Sequence, residues 1–120
     1  MPDRLRIDYI EFDSADPAAS RAFFAAAFDW GFTDYGPDYA GIEGAGLDGG
    51  IGRAEGAPKP VLVILRADDL DAAEAAVIAA GGQIVVPQFD FPGGRRFHFR
   101  EPGGTVLAVW SAPAEADAPT

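Results

Sequence analysis

The chain has 120 residues, 9 Lys plus Arg against 19 Asp plus Glu for a formal charge of −10, and 48% hydrophobic residues. That is enough apolar material for one ordinary core, which excludes wholesale disorder. There is no cysteine, which excludes thiol catalysis, cysteine-based zinc or iron–sulfur sites and a disulfide framework. The acidic balance argues against a nucleic-acid partner and against an anionic membrane surface, both of which are bound by Lys and Arg. No apolar run approaches the ~18 residues that span a bilayer. Residues 1–6 (Met-Pro-Asp-Arg-Leu-Arg) carry no apolar signal-peptide core, so the expected setting is cytoplasmic.

Residues 6–12 (Arg-Ile-Asp-Tyr-Ile-Glu-Phe) read as a strand. Asp16 then stands as a helix N-cap, with Pro17 at the first helical position, where its missing N–H costs nothing. The Ala- and Phe-rich residues 18–28 form a helix with Phe24 and Phe28 one turn apart, stopped by Gly31. Three short strands follow at 31–35, 39–42 and 47–54, punctuated by Gly and Pro. Residues 54–60, with two Pro and one Gly, read as a linker.

The order then repeats. Residues 61–65 make a β-branched strand, and Asp68 or Asp69 caps a helix whose Leu70, Ala73, Val77 and Ala80 form one stripe of helical period. Gly81 and Gly82 end it. Strands are expected at 83–88, 95–100 and 105–110, and residues 112–120 read as a disordered tail. A shift of 53 residues lays Tyr9 on Leu62, Asp16 on Asp69, Ala22 on Ala75, Phe24 on Val77 and Gly50 on Gly103. The chain therefore reads as a single domain, 1–120, holding two βαβββ modules, 6–54 and 61–111.

Taken together these segments resemble the vicinal oxygen chelate superfamily of glyoxalase I, bleomycin-resistance proteins and extradiol dioxygenases. The resemblance is carried by residues 7–12 followed by 15–24, by Ala67-Asp68-Asp69-Leu70-Asp71-Ala72-Ala73, by Ala79-Ala80-Gly81-Gly82, and by residues 97–104, where Glu101 replaces the Asp of the family's Asp-Pro-x-Gly turn. It implies an α+β fold, an open eight-stranded curved sheet of the glyoxalase/bleomycin-resistance/dihydroxybiphenyl-dioxygenase type, enclosing a cavity. In metal-dependent members the first, fourth, fifth and eighth strands supply His and Glu ligands to a divalent ion that chelates two substrate oxygens. Here those positions fall on Tyr9, within 49–53, on Leu62 and on Ala108. The phenol of Tyr9 is the one oxygen donor among them, so neither a metal nor another cofactor is expected.

Glu11 and His98 are the candidate catalytic residues. His98 is the sole histidine; it reads as a general base or cavity donor, or as a strand histidine packed between neighbours. Tyr9 and Glu11 share one strand face, and Ile10 and Phe12 the other. Glu11 suits a cationic ligand or a base of raised pKa, or else an ion pair with Arg66 or Arg100. The candidate ligand-binding set is Tyr9, Glu11, Leu62, Ile64, His98, Ala108 and Trp110, an apolar wall with one aromatic plate and a few polar groups. Leu107 and Val109 are expected to face the helices. Tyr35 and Tyr39 flank a Gly-Pro turn and read as a pocket rim or as surface tyrosines. The Arg95-Arg96 pair could hold an anion or balance charge. Neither a Gly-x-x-x-x-Gly-Lys loop nor a Gly-x-Ser-x-Gly elbow is present.

The favoured expectation is a protein that binds a small organic molecule, planar or cationic, in a metal-free cavity, as the bleomycin-resistance branch does. Whether it is an enzyme stays open. The alternatives are a glyoxalase-like lyase, isomerase or dioxygenase working through a divalent metal or acid–base residues, and a non-catalytic interaction module. A homodimer is expected from the resemblance and from the exposed edges of an open sheet.

Overall fold

The computed structural model describes residues 4–113. Eight strands and two helices follow one another as β1 (Arg6–Ser14), α1 (Pro17–Phe28), β2 (Gly31–Asp34), β3 (Tyr39–Glu43), β4 (Gly49–Arg53), β5 (Leu62–Arg66), α2 (Leu70–Ala79), β6 (Gln83–Phe91), β7 (Gly94–Arg100) and β8 (Val106–Ser111). The chain divides into two compact units, one of residues Asp8–Leu62 and the other the rest of the described chain. No helix among the described residues is long and apolar enough to cross a membrane. Residues 114–120 of the expected tail lie outside the described residues.

In the unit of Asp8–Leu62 the strand order is β2-β3-β4-β1. Strands β2, β3 and β4 form an antiparallel meander, and β1 runs parallel to β4 with Glu11 opposite Gly50. Helix α1 begins as its sequence dictates: the Asp16 carboxylate accepts from the Ala19 N–H at 3.1 Å, and Pro17 takes the first helical position. The helix ends before Gly31. Asp29 adopts the left-handed conformation, φ 61°, which short polar side chains tolerate, and its N–H caps the Ala25 carbonyl. Phe24 packs against Phe12 at 5.5 Å and stacks on Trp30 at 4.9 Å. This contact fixes which face of β1 meets the helix, and the pleat then turns Tyr9 and Glu11 to the opposite face. Ala40, Ile42 and Ile51 are buried in this unit.

The second unit repeats the plan as β5-β8-β7-β6, with β8 parallel to β5 and β6-β7-β8 antiparallel. Asp69, not Asp68, caps α2, accepting from Ala72 N–H at 3.0 Å. The core joins Leu70 and Ala73 of α2 and Ala67 to Phe97, Phe99 and Val109, with Leu65 and Leu107 packed against it. Phe97 and Val109 are completely buried, each stabilising the fold by about 1.5–3 kcal/mol through its removal from water. Leu107 and Val109 thus face the helix, and Ala108 and Trp110 the opposite side. Strand β6 runs to Phe91 instead of ending near Gln88, because the β6–β7 ladder shifts register on either side of Val86 and closes in a tight turn at Gly94. A Cβ on Gly94 would overlap the Ser111 carbonyl oxygen and sit 3.1 Å from its carbon, so no other residue fits there. The matching of Gly50 with Gly103 does not hold. Gly50 is mid-strand in β4, whereas Gly103 lies in the turn before β8, where its N–H binds Glu101.

Candidate functional site

The helix-distal face of the first unit is built over glycines. Gly41, Gly50 and Glu11 lie side by side on β3, β4 and β1, with Gly52 two residues along β4. The absence of side chains leaves a trough, and tyrosines fill it. Tyr39 pairs with Gly52 in register, and its ring lies along Gly52 at 3.5 Å from where a Cβ would be. Its phenol then arrives over Gly50, in the space a side chain there would need. Tyr35 covers Gly41 in the same way, at 3.2 Å.

Over Gly50 the Tyr39 hydroxyl makes two contacts. It donates to the Glu11 carboxylate at 3.1 Å and is hydrogen-bonded to the Tyr9 hydroxyl. With its single proton given to Glu11, Tyr39 accepts from Tyr9, so the chain of donors runs Tyr9, Tyr39, Glu11. Burial, the bond to Tyr9 and the negative charge of Glu11 together hold the Tyr39 phenol far above the ordinary phenol range. The structure therefore brings Tyr9 and Glu11 together, as expected, and adds Tyr39, which the sequence had left as a pocket rim or a surface tyrosine at the start of a strand. Strand glycines opposite an aromatic residue were the available signal.

On the second unit, Ile64, Ala108, His98 and Val86 form one cross-strand row. Ile64 and Ala108 are buried, 3% and 0% exposed. His98 is half-buried, and its Nε2 accepts from Arg96 Nε at 3.1 Å. The imidazole proton consequently sits on Nδ1. Two residues further along β5, β8 and β7, and three along β6 across its register shift, Arg66, Trp110, Arg96 and Phe89 form the next row on that face. The Arg66 guanidinium lies 4.7 Å from the Trp110 ring centroid. Arg96 lies 5.6 Å from Phe89 and 5.7 Å from Phe91, and Phe91 meets Trp110 edge-on. Both arginines were outside the expected binding set. Leu62 opens β5 and is half-buried.

The metal chemistry of the resembled superfamily does not fit these residues. Its first-strand position carries the Tyr9 phenol, already bonded to Tyr39. Its fourth-strand segment carries Gly50, whose side-chain space the Tyr39 phenol occupies. The fifth- and eighth-strand positions carry Leu62 and Ala108, which have no donor atoms. Among the described residues, no group of three or more His, Asp or Glu side chains stands where it could hold a metal ion.

A family profile described as a glyoxalase-like domain matches residues 9–110. A Mycobacterium bovis protein named "Putative glyoxylase CFP32" is 28% identical over 117 residues, 88% of this chain and 45% of its own length. The Mn(II)-bound glyoxalase from Novosphingobium aromaticivorans superposes with a TM-score of 0.68 at 26% identity, over 88% of this chain and 38% of that one. A glyoxalase/bleomycin resistance protein/dioxygenase superfamily member from Vibrio splendidus superposes with a TM-score of 0.62 at 17% identity, over 90% of this chain and 99% of that one. The chain thus spans about half, or less, of the length of the mycobacterial relative and the Mn(II)-bound glyoxalase. The likenesses cover both modules, and the fold they share is the expected α+β arrangement of two βαβββ modules in an open eight-stranded sheet.

Proposed function

Because the chain belongs to the glyoxalase-like domain family of the vicinal oxygen chelate superfamily, we propose that it binds a small organic molecule without a metal ion. One observation carries this reading. The first- and fourth-strand positions that the superfamily uses for metal ligands are taken by a phenol pair, Tyr9 and Tyr39, bonded to each other and to Glu11. Phenols whose single protons are committed to each other and to Glu11 are poor ligands for a divalent ion. Taken by itself, the second unit carries half-exposed aromatic rings of the kind that line small-molecule sites.

A thermal-shift screen over planar acids, neutral aromatics and amines tests this. A ligand at 100 times its dissociation constant adds about 2.7 kcal/mol, or about 10 °C in a domain of this size. No shift from any compound class refutes the reading.

The likeness to a Mn(II)-bound glyoxalase favours a second reading, in which Glu11 and His98 serve a glyoxalase-like lyase or isomerase. Glu11 would then act as base and the phenols as proton donors to the developing oxyanion. Turnover of 2-oxoaldehyde adducts that falls on Glu11→Gln would favour it over simple binding. A homodimer and a cytoplasmic setting belong to the same proposal. The mycobacterial relative is about twice as long as this chain, and light scattering on the purified protein would register a homodimer as twice the chain mass.

A further inference from the structure

We propose that the outward face of α1 is the surface through which two copies of this chain pair. This gives the homodimer of the preceding section its contact, and so rests on that reading. It also places the contact on a helix instead of a sheet edge. Helix α1 carries two apolar stripes, where a helix covering one sheet needs one. Phe24 belongs to the inner stripe and packs against Phe12 of β1. Ala19, Ala22, Phe23 and Ala26 follow at i, i+3, i+4 and i+7 as a second stripe, and all four are exposed. Phe28 joins them at the end of the helix, its ring meeting Phe23 edge-on at 6.0 Å. Phe23 is 60% exposed and Phe28 56%.

The module plan does not call for these two rings. At the same places in the second module stand Ala76 and Gly81, while Val77 keeps the apolar character of Phe24. The stripe also bears no charge. Arg21, the charged residue of α1, is turned aside, over Phe32 at 5.7 Å and 3.8 Å from Asp34. A second copy is the occupant that area and charge fit. At about 200 Å² per aromatic side chain, the two rings leave about 230 Å² of apolar surface in water. With the exposed alanines the face comes to about 400 Å², the size of the apolar patches that serve as interaction sites. Two such faces bury about 1,000 Å² with their rims, the least that a specific pair of proteins buries. Copies of charge −10 repel each other, and an uncharged stripe meeting itself about a two-fold axis lets them touch without setting like charges together. Alanines along it let two helix axes approach to about 8 Å, with each Phe23 ring packed on the other copy's helix.

A contact of this size predicts a dissociation constant on the order of 10 μM. Sedimentation equilibrium of the full chain, run from about 1 to about 200 μM, should therefore show the mean mass climb from one chain towards two. Phe23→Ser should weaken pairing by about tenfold or more, because a two-fold contact loses the ring twice. Ala26→Glu puts a good helix former at an exposed position and should do the same by setting like charges face to face. It carries the test if Phe23→Ser fails to fold. Ile78→Ser removes an exposed apolar side chain, 54% accessible, from α2 and should leave pairing within about twofold. Raising salt from about 50 to about 500 mM should tighten pairing by screening the repulsion between two acidic chains. A dimer that survives both α1 substitutions overturns this placement and leaves the homodimer standing. Equal loss on Ile78→Ser, or pairing that salt weakens, overturns the apolar α1 contact as well. A chain that stays monomeric across the range overturns both the contact and the homodimer, without touching the small-molecule reading.

Discussion

Placing a methyl group at Gly50 is the sharpest perturbation of the phenol arrangement. A Cβ there overlaps the Tyr39 phenol and comes within 2.7 Å of the Tyr9 hydroxyl. In Gly50→Ala the backbone is held by β1 on one side and β3 on the other, so the Tyr39 ring has to move. It then loses its bond to Glu11, worth about 1.5–3 kcal/mol as a bond to a charged group, and its bond to Tyr9, worth about 1 kcal/mol. Water recovers part of this at a half-buried site, and Ala gains about 0.5–1 kcal/mol over Gly in a strand. The net expectation is a loss of about 2 kcal/mol, or about 8 °C in melting temperature. A double-mutant cycle in urea isolates the cause: in a Tyr39→Ala background the same Gly50→Ala change should cost close to nothing. An alkaline titration gives a second readout. The folded Tyr39 phenol resists ionisation, so native stability is complete below the ordinary phenol value of 10.0 and falls as pH rises beyond it. That alkaline loss should shrink in Gly50→Ala. A variant as stable as the parent, or one equally damaging with and without Tyr39, refutes the reasoning.

Two further outcomes follow from backbone geometry. Gly94→Ala should destabilise by about 3 kcal/mol or more, because its methyl group meets the Ser111 backbone, which cannot rotate away as a side chain can; urea denaturation measures it. Glu101 accepts the N–H groups of Thr105 at 2.8 Å and Gly103 at 2.7 Å, and these bonds hold its carboxyl below the usual carboxylate range. Its contribution is present above the ordinary value of 4.5 and is lost as pH falls through the lower native value, so Glu101→Gln should flatten the acid limb of the stability curve between those two values.

Much of the architecture was legible because it rests on local chemistry. Asp16-Pro17 and Asp69 start the helices through their own side chains and dihedral angles, and the alternation of β1 put Tyr9 and Glu11 on one face. What escaped depends on register between distant strands. Tyr39 reads as a rim or surface tyrosine beside a turn until β3 is paired with β4; only then does it lie over Gly52 and reach Gly50. The Arg95-Arg96 pair was weighed as one basic unit, although a strand sends its two members to opposite faces, one to Asp90 and one to the aromatic row. Phe89 and Phe91 were assigned outside strands because the register shifts in β6 break the two-residue alternation that marks a strand.

Metal titration is the most direct test of the central claim, that phenols stand where the superfamily's ligands would be. Protein purified without chelator is assayed for Mn, Fe, Ni and Zn, and then titrated with Mn(II) and Ni(II) by calorimetry. The account predicts far less than one equivalent of any metal as purified and no saturable site on titration. One equivalent bound per chain, and lost in Tyr9→Phe or Glu11→Gln, would contradict it.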